Sequence, residues 1–242
     1  MDFTKIMFLD IETVPQTEYY EELSDEVGQL WTEKFAALKR NWADRFGENI
    51  TSEEAFAQNG GIYAEFGKII CISVGFIFYR DNEMHFRTKS FAGDDEKLIL
   101  QEFAHLINRT WNTQDHLFCG HNIKEFDVPY ICRRMIINNI AIPNLLNVSG
   151  KKPWEVSFLD TLELWKFGDK KNYTSLKLLT AVLGIPAPKD DIDGSQVASV
   201  YYKEKNIKRI AAYCQKDVLA SAQVFLRLNQ IETIKESNVE HL

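Results

Sequence analysis

Four apolar residues in a row, Ile6-Met7-Phe8-Leu9, run into Asp10-Ile11-Glu12-Thr13 close to the N-terminus. This composition predicts a strand buried on both faces that ends near Pro15. Side chains alternate along a strand, so Asp10 and Glu12 are expected on one side of the sheet, about 6.5–7 Å apart along the chain. After Pro15 the period changes. Leu23, Val27, Leu30, Trp31, Phe35, Leu38 and Trp42 recur at three- and four-residue spacing. They predict a charged helical insertion over about 17–58, with a helix start at Thr51-Ser52-Glu53-Glu54. Its expected role is ordinary packing against the core. Its place beside the Asp10/Glu12 end also makes it a candidate for shaping access.

Asn59-Gly60-Gly61 breaks that pattern. A strong strand is expected from Lys68 to Tyr79, a turn at Asp81-Asn82-Glu83, and a third, antiparallel strand from Met84 to Phe91. Leu98, Ile99, Phe103, Leu106 and Ile107 form the stripe of a helix running to about Arg109. His116 to Cys119 reads as a short buried strand, followed by a helix through roughly Asn138 with Pro129 in its first turn and Asp127 as its N-cap. The segment 142–154 is irregular, and Val156 to Asp160 is another strand ending in an acid. Lys166 to Asn172 is a basic loop. Helices are expected at about 175–183, stopped by Gly184, then at 194–204 and 207–228. No linker, repeat or low-complexity tract interrupts the chain, so residues 1–242 are read as a single domain.

Of the 242 residues, 45% are hydrophobic and 12% aromatic, enough for a substantial core. No apolar run approaches the roughly 18–20 residues of a membrane span, and the N-terminus lacks a secretory profile. Cys71, Cys119, Cys132 and Cys214 form no CxxC pair. Buried thiols in a reducing cytoplasm are therefore expected, with neither disulfides nor zinc. The net charge of −7 disfavours an extended nucleic-acid wrapper, which would be basic. It leaves room for an enzyme that grips one strand end, because metal-binding carboxylates count as negative until the ion arrives.

Two carboxylates at the end of a buried strand repel, and they need a cation or a proton. A hard divalent ion is the economical answer, since Mg2+ takes oxygen ligands and is often held by only one or two carboxylates. Two other readings stay open: Asp10 as a turn cap, or Asp10 as a phosphoryl-accepting nucleophile. Late in the chain, Tyr213 and Asp217 are spaced i, i+4 and share a helix face.

The motifs in order are Phe8-Leu9-Asp10-Ile11-Glu12-Thr13, then Asn122-Ile123-Lys124-Glu125-Phe126-Asp127-Val128-Pro129-Tyr130, then Tyr213-Cys214-Gln215-Lys216-Asp217. Leu159-Asp160 and Tyr173-Thr174-Ser175-Leu176-Lys177-Leu178 lie between the last two. This order resembles the DEDD superfamily of 3′–5′ exonucleases, in the branch whose last motif carries Tyr. It is most similar to the proofreading exonuclease domain of family B DNA polymerases and its stand-alone bacterial relatives. The resemblance spans most of residues 1–230 and departs in the long segment between Pro15 and Lys68.

The resemblance implies an α/β, ribonuclease-H-like fold: a mixed sheet of about five strands flanked by helices. It implies that Asp10, Glu12, Asp127 and Asp217 hold two Mg2+ or Mn2+ ions, and that Tyr213 orients the attacking water. It implies hydrolysis at the 3′ end of single-stranded DNA or RNA, releasing nucleoside 5′-monophosphates. Thr13, Asn122 and Phe126 match positions that contact the terminal nucleotides, and Asp160 is expected to have a supporting role. Lys124, Lys151, Lys152, Lys166, Lys170, Lys171 and Lys177 make the middle third locally basic. A cytoplasmic protein in DNA repair or RNA turnover, or one serving a separate polymerase or repair factor, fits this picture, with proofreading in cis not expected. Two alternatives remain: a catalytically silent nucleic-acid binding module, and a phosphatase using Asp10 as nucleophile.

Overall fold

A computed structural model describes residues 1–41, 46, 49–169, 173–186 and 192–242. Trp42 of the expected helical stripe, and Lys170 and Lys171 of the expected basic loop, lie outside the described residues. The sheet has six strands: β1 (Ile6–Pro15), β2 (Gly67–Arg80), β3 (Glu83–Ala92), β4 (Leu117–Gly120), β5 (Leu159–Asp160) and β6 (Val239–His241). Their spatial order is β5-β4-β1-β2-β3-β6. Strands β5, β4 and β1 are mutually parallel, β2 is antiparallel to β1 and β3, and β6 is parallel to β3. The helices are α1 (Asp25–Asn41), α2 (Ser52–Asn59), α3 (Glu96–Thr110), α4 (Asp127–Ile137), α5 (Thr161–Lys166), α6 (Leu176–Val182), α7 (Val197–Tyr202) and α8 (Ile207–Leu228). This α/β arrangement is consistent with a ribonuclease-H-like exonuclease fold.

Strand β1 is central, and both of its faces are covered. Met7, Leu9 and Ile11 pack with the apolar stripes of α3 and α4. Ile6 and Phe8 pack with Val218, Ala222, Phe225 and Leu226 of α8. Within α8, Ile210, Cys214, Val218, Ala222 and Leu226 recur every four residues and are all buried, the stripe of a helix lying on a sheet. This side of β1 also carries Asp10 and Glu12, so α8 meets the carboxylates directly.

The sheet differs from the expected five strands by the addition of β6. That strand is three residues long and two of them, Glu240 and His241, are polar, so no alternation announces it. Pairing alone places it, with Glu240 accepting from Arg87 Nε at 2.9 Å and from Nη2 at 2.6 Å. The strand expected over 156–160 shortens to Leu159–Asp160, because a turn over Pro153–Glu155 still holds Val156 and β4 offers only Cys119 and Gly120 for pairing; at its end Asp160 turns the chain into α5 by accepting the Leu162 N–H at 2.9 Å. Leu98 was expected in the α3 stripe and Leu30 in the α1 stripe, but both are largely exposed.

The insertion departs from the expected packing against the main core. Its described residues include two helices, α1 and α2, preceded by a short turn at Tyr20–Glu22. Trp31, Phe35, Leu38, Phe46, Ala55, Phe56 and Phe66 form a separate cluster. Trp31 is fully buried and donates from Nε1 to Ser52 O at 2.8 Å. The expected start at Thr51 is a reciprocal cap: Thr51 accepts from Glu54 N, and Glu54 accepts from Thr51 N.

One buried ion pair ties the region ahead of β2 to the helices below the sheet. Glu96 accepts from Ile69 N, from Arg134 Nε and Nη2, and from Asn138 Nδ2, while Arg134 Nη1 donates to Ala64 O. Removing one partner of such a pair leaves an uncompensated buried charge. Arg134→Met is expected to lower unfolding free energy in urea by about 3–5 kcal/mol, and Arg134→Met with Glu96→Gln by less. A double variant as unstable as the single one would mean that the pair contributes packing rather than charge balance.

Candidate active site

The site forms where β1 outruns its parallel neighbour. Strand β4 pairs only with Ile6, Met7 and Phe8, so that edge of β1 is open beyond Phe8. The Ile11 N–H on the open edge finds a side chain instead, donating to Asp127 Oδ1 at 3.1 Å. The cap that Asp127 suggests when taken alone is thus not what the structure shows. Phe126 holds the N-cap position, and Asp127 is the first residue of α4 with its carboxylate turned onto β1.

The loop that delivers Asp127 is fixed from below. Asn122 adopts a left-handed backbone (φ 66°), which Asn tolerates better than most residues. Asp160 accepts from Asn122 N at 3.0 Å and from Lys124 N at 3.1 Å. The expected supporting role of Asp160 therefore has a concrete form: one buried carboxylate holds both the 121–126 turn and the start of α5. A side chain at Gly120 would meet Leu9 O at 2.8 Å, so glycine permits the close approach at the start of this turn. His121 bridges Thr161 Oγ1 and Thr174 O at 2.9 Å each.

Helix α8 supplies the other side. The Cys214 thiol donates to Asp10 Oδ2 at 3.2 Å. Ligand atoms of Asp10, Glu12 and Cys214 lie within 4.8 Å of one another. Tyr213 and Asp217 stand one turn apart on α8. All four carboxylates are thus within electrostatic reach. Burial, then Asp127, Asp217 and Glu12, push the Asp10 carboxyl well above the usual range, against the pull of the Cys214 hydrogen bond. Burial, then Asp217, Cys71 and Asp127, do the same to Glu12. Burial raises Asp127 to about 7 despite N–H donors from its own backbone and Ile11.

Burial, then Asp217 and Glu12, raise the Tyr213 phenol, so it remains a hydrogen-bond donor at neutral pH. A crowded, partly desolvated set of oxygen donors is the chemistry of a hard divalent cation site, and the residues present fit one.

Of the expected substrate contacts, Phe126 and Thr13 line a cleft of about 690 Å3 that reaches Glu12. Phe126 also rests on the core and packs against Tyr130, ring centroids 5.4 Å apart. The Thr13 hydroxyl donates to Gly61 O at 2.8 Å, so its donor is already used. Asn122 is half-buried, its backbone held as described above.

Two residues were missed by the sequence reading as members of the site. Cys214 was taken as a plain buried thiol, although it stands three residues before Asp217 and so on the same helix face. Tyr173 was noted only as part of a motif. Its ring packs edge-on to His121, and burial, then the Asp127, Asp160 and Asp10 charges, raise its phenol, which places it beside the cluster. No sequence periodicity marks it, since it lies in a loop. Among the described residues, no helix is long and apolar enough to cross a membrane.

A family model described as a predicted 3′–5′ exonuclease related to the exonuclease domain of PolB matches residues 62–240. No curated protein matches the chain. The matched span holds Asp127, Tyr213 and Asp217; β1, with Asp10 and Glu12, lies before it. The chain belongs to the family of predicted 3′–5′ exonucleases related to the exonuclease domain of PolB.

Proposed function

We propose that this chain hydrolyses the 3′-terminal phosphodiester of single-stranded DNA or RNA, with Asp10, Glu12, Asp127 and Asp217 holding two Mg2+ or Mn2+ ions. The observation that carries this is the convergence of those four carboxylates at the open edge of β1, in a chain of an exonuclease family. When bound, two divalent ions would acidify the attacking water and neutralise charge on the attacking and leaving oxygens. The products are a nucleoside 5′-monophosphate and a strand shortened by one residue with a free 3′-hydroxyl.

The residues have separate duties in this proposal. Tyr213 stays protonated, which suits it to orienting the water rather than to removing its proton. It stands one helical turn from Asp217, which suits delivery of its hydroxyl to a water near that carboxylate. The Cys214 thiol, kept protonated by burial, holds the rotamer of Asp10 by donating to one oxygen. Asp127 is held by Ile11 N, and the turn before it by Asp160, so this carboxylate cannot swing away as its charge changes.

The direct test uses 5′-labelled and 3′-labelled single strands of DNA and RNA with Mg2+, Mn2+ or chelator. A metal-dependent ladder on the first and released mononucleotide on the second are expected, with the preferred sugar read from the pair. Asp10→Ala and Asp217→Ala are expected to lower kcat by on the order of 10³ or more, and Tyr213→Phe by about a hundredfold. Full activity in Asp217→Ala with loss only in Asp10→Ala would instead favour an Asp10 nucleophile and a phosphatase. A folded, metal-loaded protein that binds strands without cutting them would favour a silent binding module.

Metal also links to stability. The raised carboxyls bind protons more tightly in the folded chain than in the unfolded one. Stability of the metal-free protein therefore falls as pH rises from about 4, the unfolded carboxylate value, through about 7 for Asp127. A divalent ion should remove that penalty. At a hundredfold excess over Kd it stabilises by about 2.7 kcal/mol, roughly 5–10 °C in Tm for a chain of this size. The Tm gain on adding Mn2+ is expected to be larger at pH 8 than at pH 5, and equal gains would count against carboxylate ligation.

A further inference from the structure

We infer that the groove between β3 and α3, on the face of the sheet away from the carboxylates, is a docking site for an acidic peptide segment of a partner protein, which adds as a strand to the open end of β3. The inference does not rest on the exonuclease proposal and goes beyond it, from chemistry to association.

Alternation along β3 separates the two faces. The Ser90 and Ser73 hydroxyls meet at 2.7 Å, and Ser73 stands opposite Asp10 in the β1–β2 pair. Ser90 therefore points to the side that carries the carboxylates. Its neighbours Lys89 and Phe91 point to the other side, where the Phe91 ring meets Phe103 of α3, centroids 6.3 Å apart. There they line a groove of about 660 Å3 together with His105, Leu106 and Arg109 of α3.

The groove runs beside an unfinished edge. Strand β6 pairs with β3 only at Phe86, Arg87 and Thr88, and the Leu242 N–H donates to Thr88 O at 2.9 Å. Backbone groups of a strand alternate between its two sides. Ser90 thus presents its N–H and C=O to the same side as Thr88, past the end of β6. An edge of this kind is a template for an added strand. A peptide laid against Ser90 turns every second side chain toward the α3 side.

Charge selects the peptide. The chain carries a net charge of −7, yet this lining sets Lys89, Arg109 and His105 against Glu102. Lys89 and Arg109 are both exposed, and neither has an ion-pair partner among the described residues. Arg87, earlier on the same face, is already paired with Glu240 at 2.6 Å. Carboxylates on a partner supply what Lys89 and Arg109 lack, and Phe91 and Leu106 add apolar surface for a side chain between those carboxylates.

A nucleic-acid strand fits this groove less well. Bases need a free ring face on which to stack. Phe91, the aromatic residue of the lining, is buried, with Lys89 Nζ 4.6 Å from its centroid. A phosphate backbone also has no N–H to give the Ser90 carbonyl, whereas a peptide brings both a donor and an acceptor.

The test uses the full chain and a fluorescein-labelled peptide, Thr-Glu-Thr-Leu-Thr-Glu-Thr, whose alternation puts two carboxylates and a leucine on one face of a strand. A Kd below about 1 mM is expected, rising with salt, with the Ser90 amide resonance shifted and its hydrogen exchange slowed. The same peptide with Lys in place of both Glu is expected to bind at least about tenfold more weakly. Two further peptides are N-methylated, one at Leu and one at the Thr that follows it. Alternate N–H groups face β3, so one of the two is expected to lose about fivefold and the other little. Lys89→Glu combined with Arg109→Glu is expected to weaken binding at least about tenfold with the urea midpoint unchanged. Lys97→Glu, exposed at the other end of α3, should change nothing.

No binding of the acidic peptide at about 1 mM, or equal affinity for the acidic and basic peptides, overturns the site. Unchanged affinity for both methylated peptides overturns the strand addition and the proposal with it. An oligothymidylate strand whose binding is lost in the Lys89/Arg109 double variant, while the peptide leaves the Ser90 amide unmoved, assigns the groove to nucleic acid instead.

Discussion

Like-charge repulsion at the open edge of β1 is the constraint on which this structure turns. Two unit charges about 4 Å apart repel by roughly 4 kcal/mol at an effective dielectric near 20. A whole domain is stable by only about 5–15 kcal/mol. Four ionised carboxylates in one partly buried cluster would therefore take a sizeable share of the stability of the fold. The metal-free chain answers by holding protons, which is why Asp10, Glu12 and Asp127 all titrate high. In the proposed working state, divalent ions replace those protons, and the same crowding becomes affinity.

The fold tolerates this because the cost is confined to one end of one strand. Residues 6–9 of β1 are buried between α8 and the α3–α4 layer, and they anchor the strand before the acids begin. Short pairing with β4 leaves the Ile11 N–H open, and the carboxylate of Asp127 closes it. The acceptor that satisfies the Ile11 N–H is thus the carboxylate proposed as a metal ligand. Asp160 repeats the device one strand over, its buried carboxylate holding two turns at once. Among the described residues its hydrogen-bond partners are all backbone N–H groups, as suits a supporting acid.

What could be read from the sequence was whatever repeats with a period or sits at fixed spacing. The central strand, the β2–β3 hairpin, the α8 stripe and the Asp10/Glu12 and Tyr213/Asp217 pairs all belong to that class. The convergence of Asp127 on β1 was carried by motif order rather than by local pattern, since residue 127 alone looked like a cap. Contacts that depend on a side chain's reach across elements were not legible. Cys214 against Asp10, Tyr173 beside the cluster and β6 on its edge are all of this kind. The insertion misled in a different way. Its three- and four-residue spacing announced helices correctly, but periodicity does not say which surface a stripe will meet, and this one closes largely on itself around Trp31 and Phe66.

That self-closure has a consequence for how the proposed activity is divided along the chain. The family match begins at residue 62, after β1 and the insertion. Of the proposed ligands, two lie within the match and two on the unmatched strand before it. The chemistry therefore depends on β1 docking against the matched sheet, a contact fixed by full-length pairing with β2. The insertion is under no such obligation. Its aromatic cluster is separate from the layers that hold the carboxylates, and among its described residues Ala57 and Gln58 line the cleft that reaches Glu12. Side chains on α2 that face the cleft can therefore vary in size and polarity without moving a carboxylate. In the proposed arrangement the sheet, α4 and α8 hold the carboxylates that would act on a phosphodiester, while the insertion stands beside them and carries none of the four.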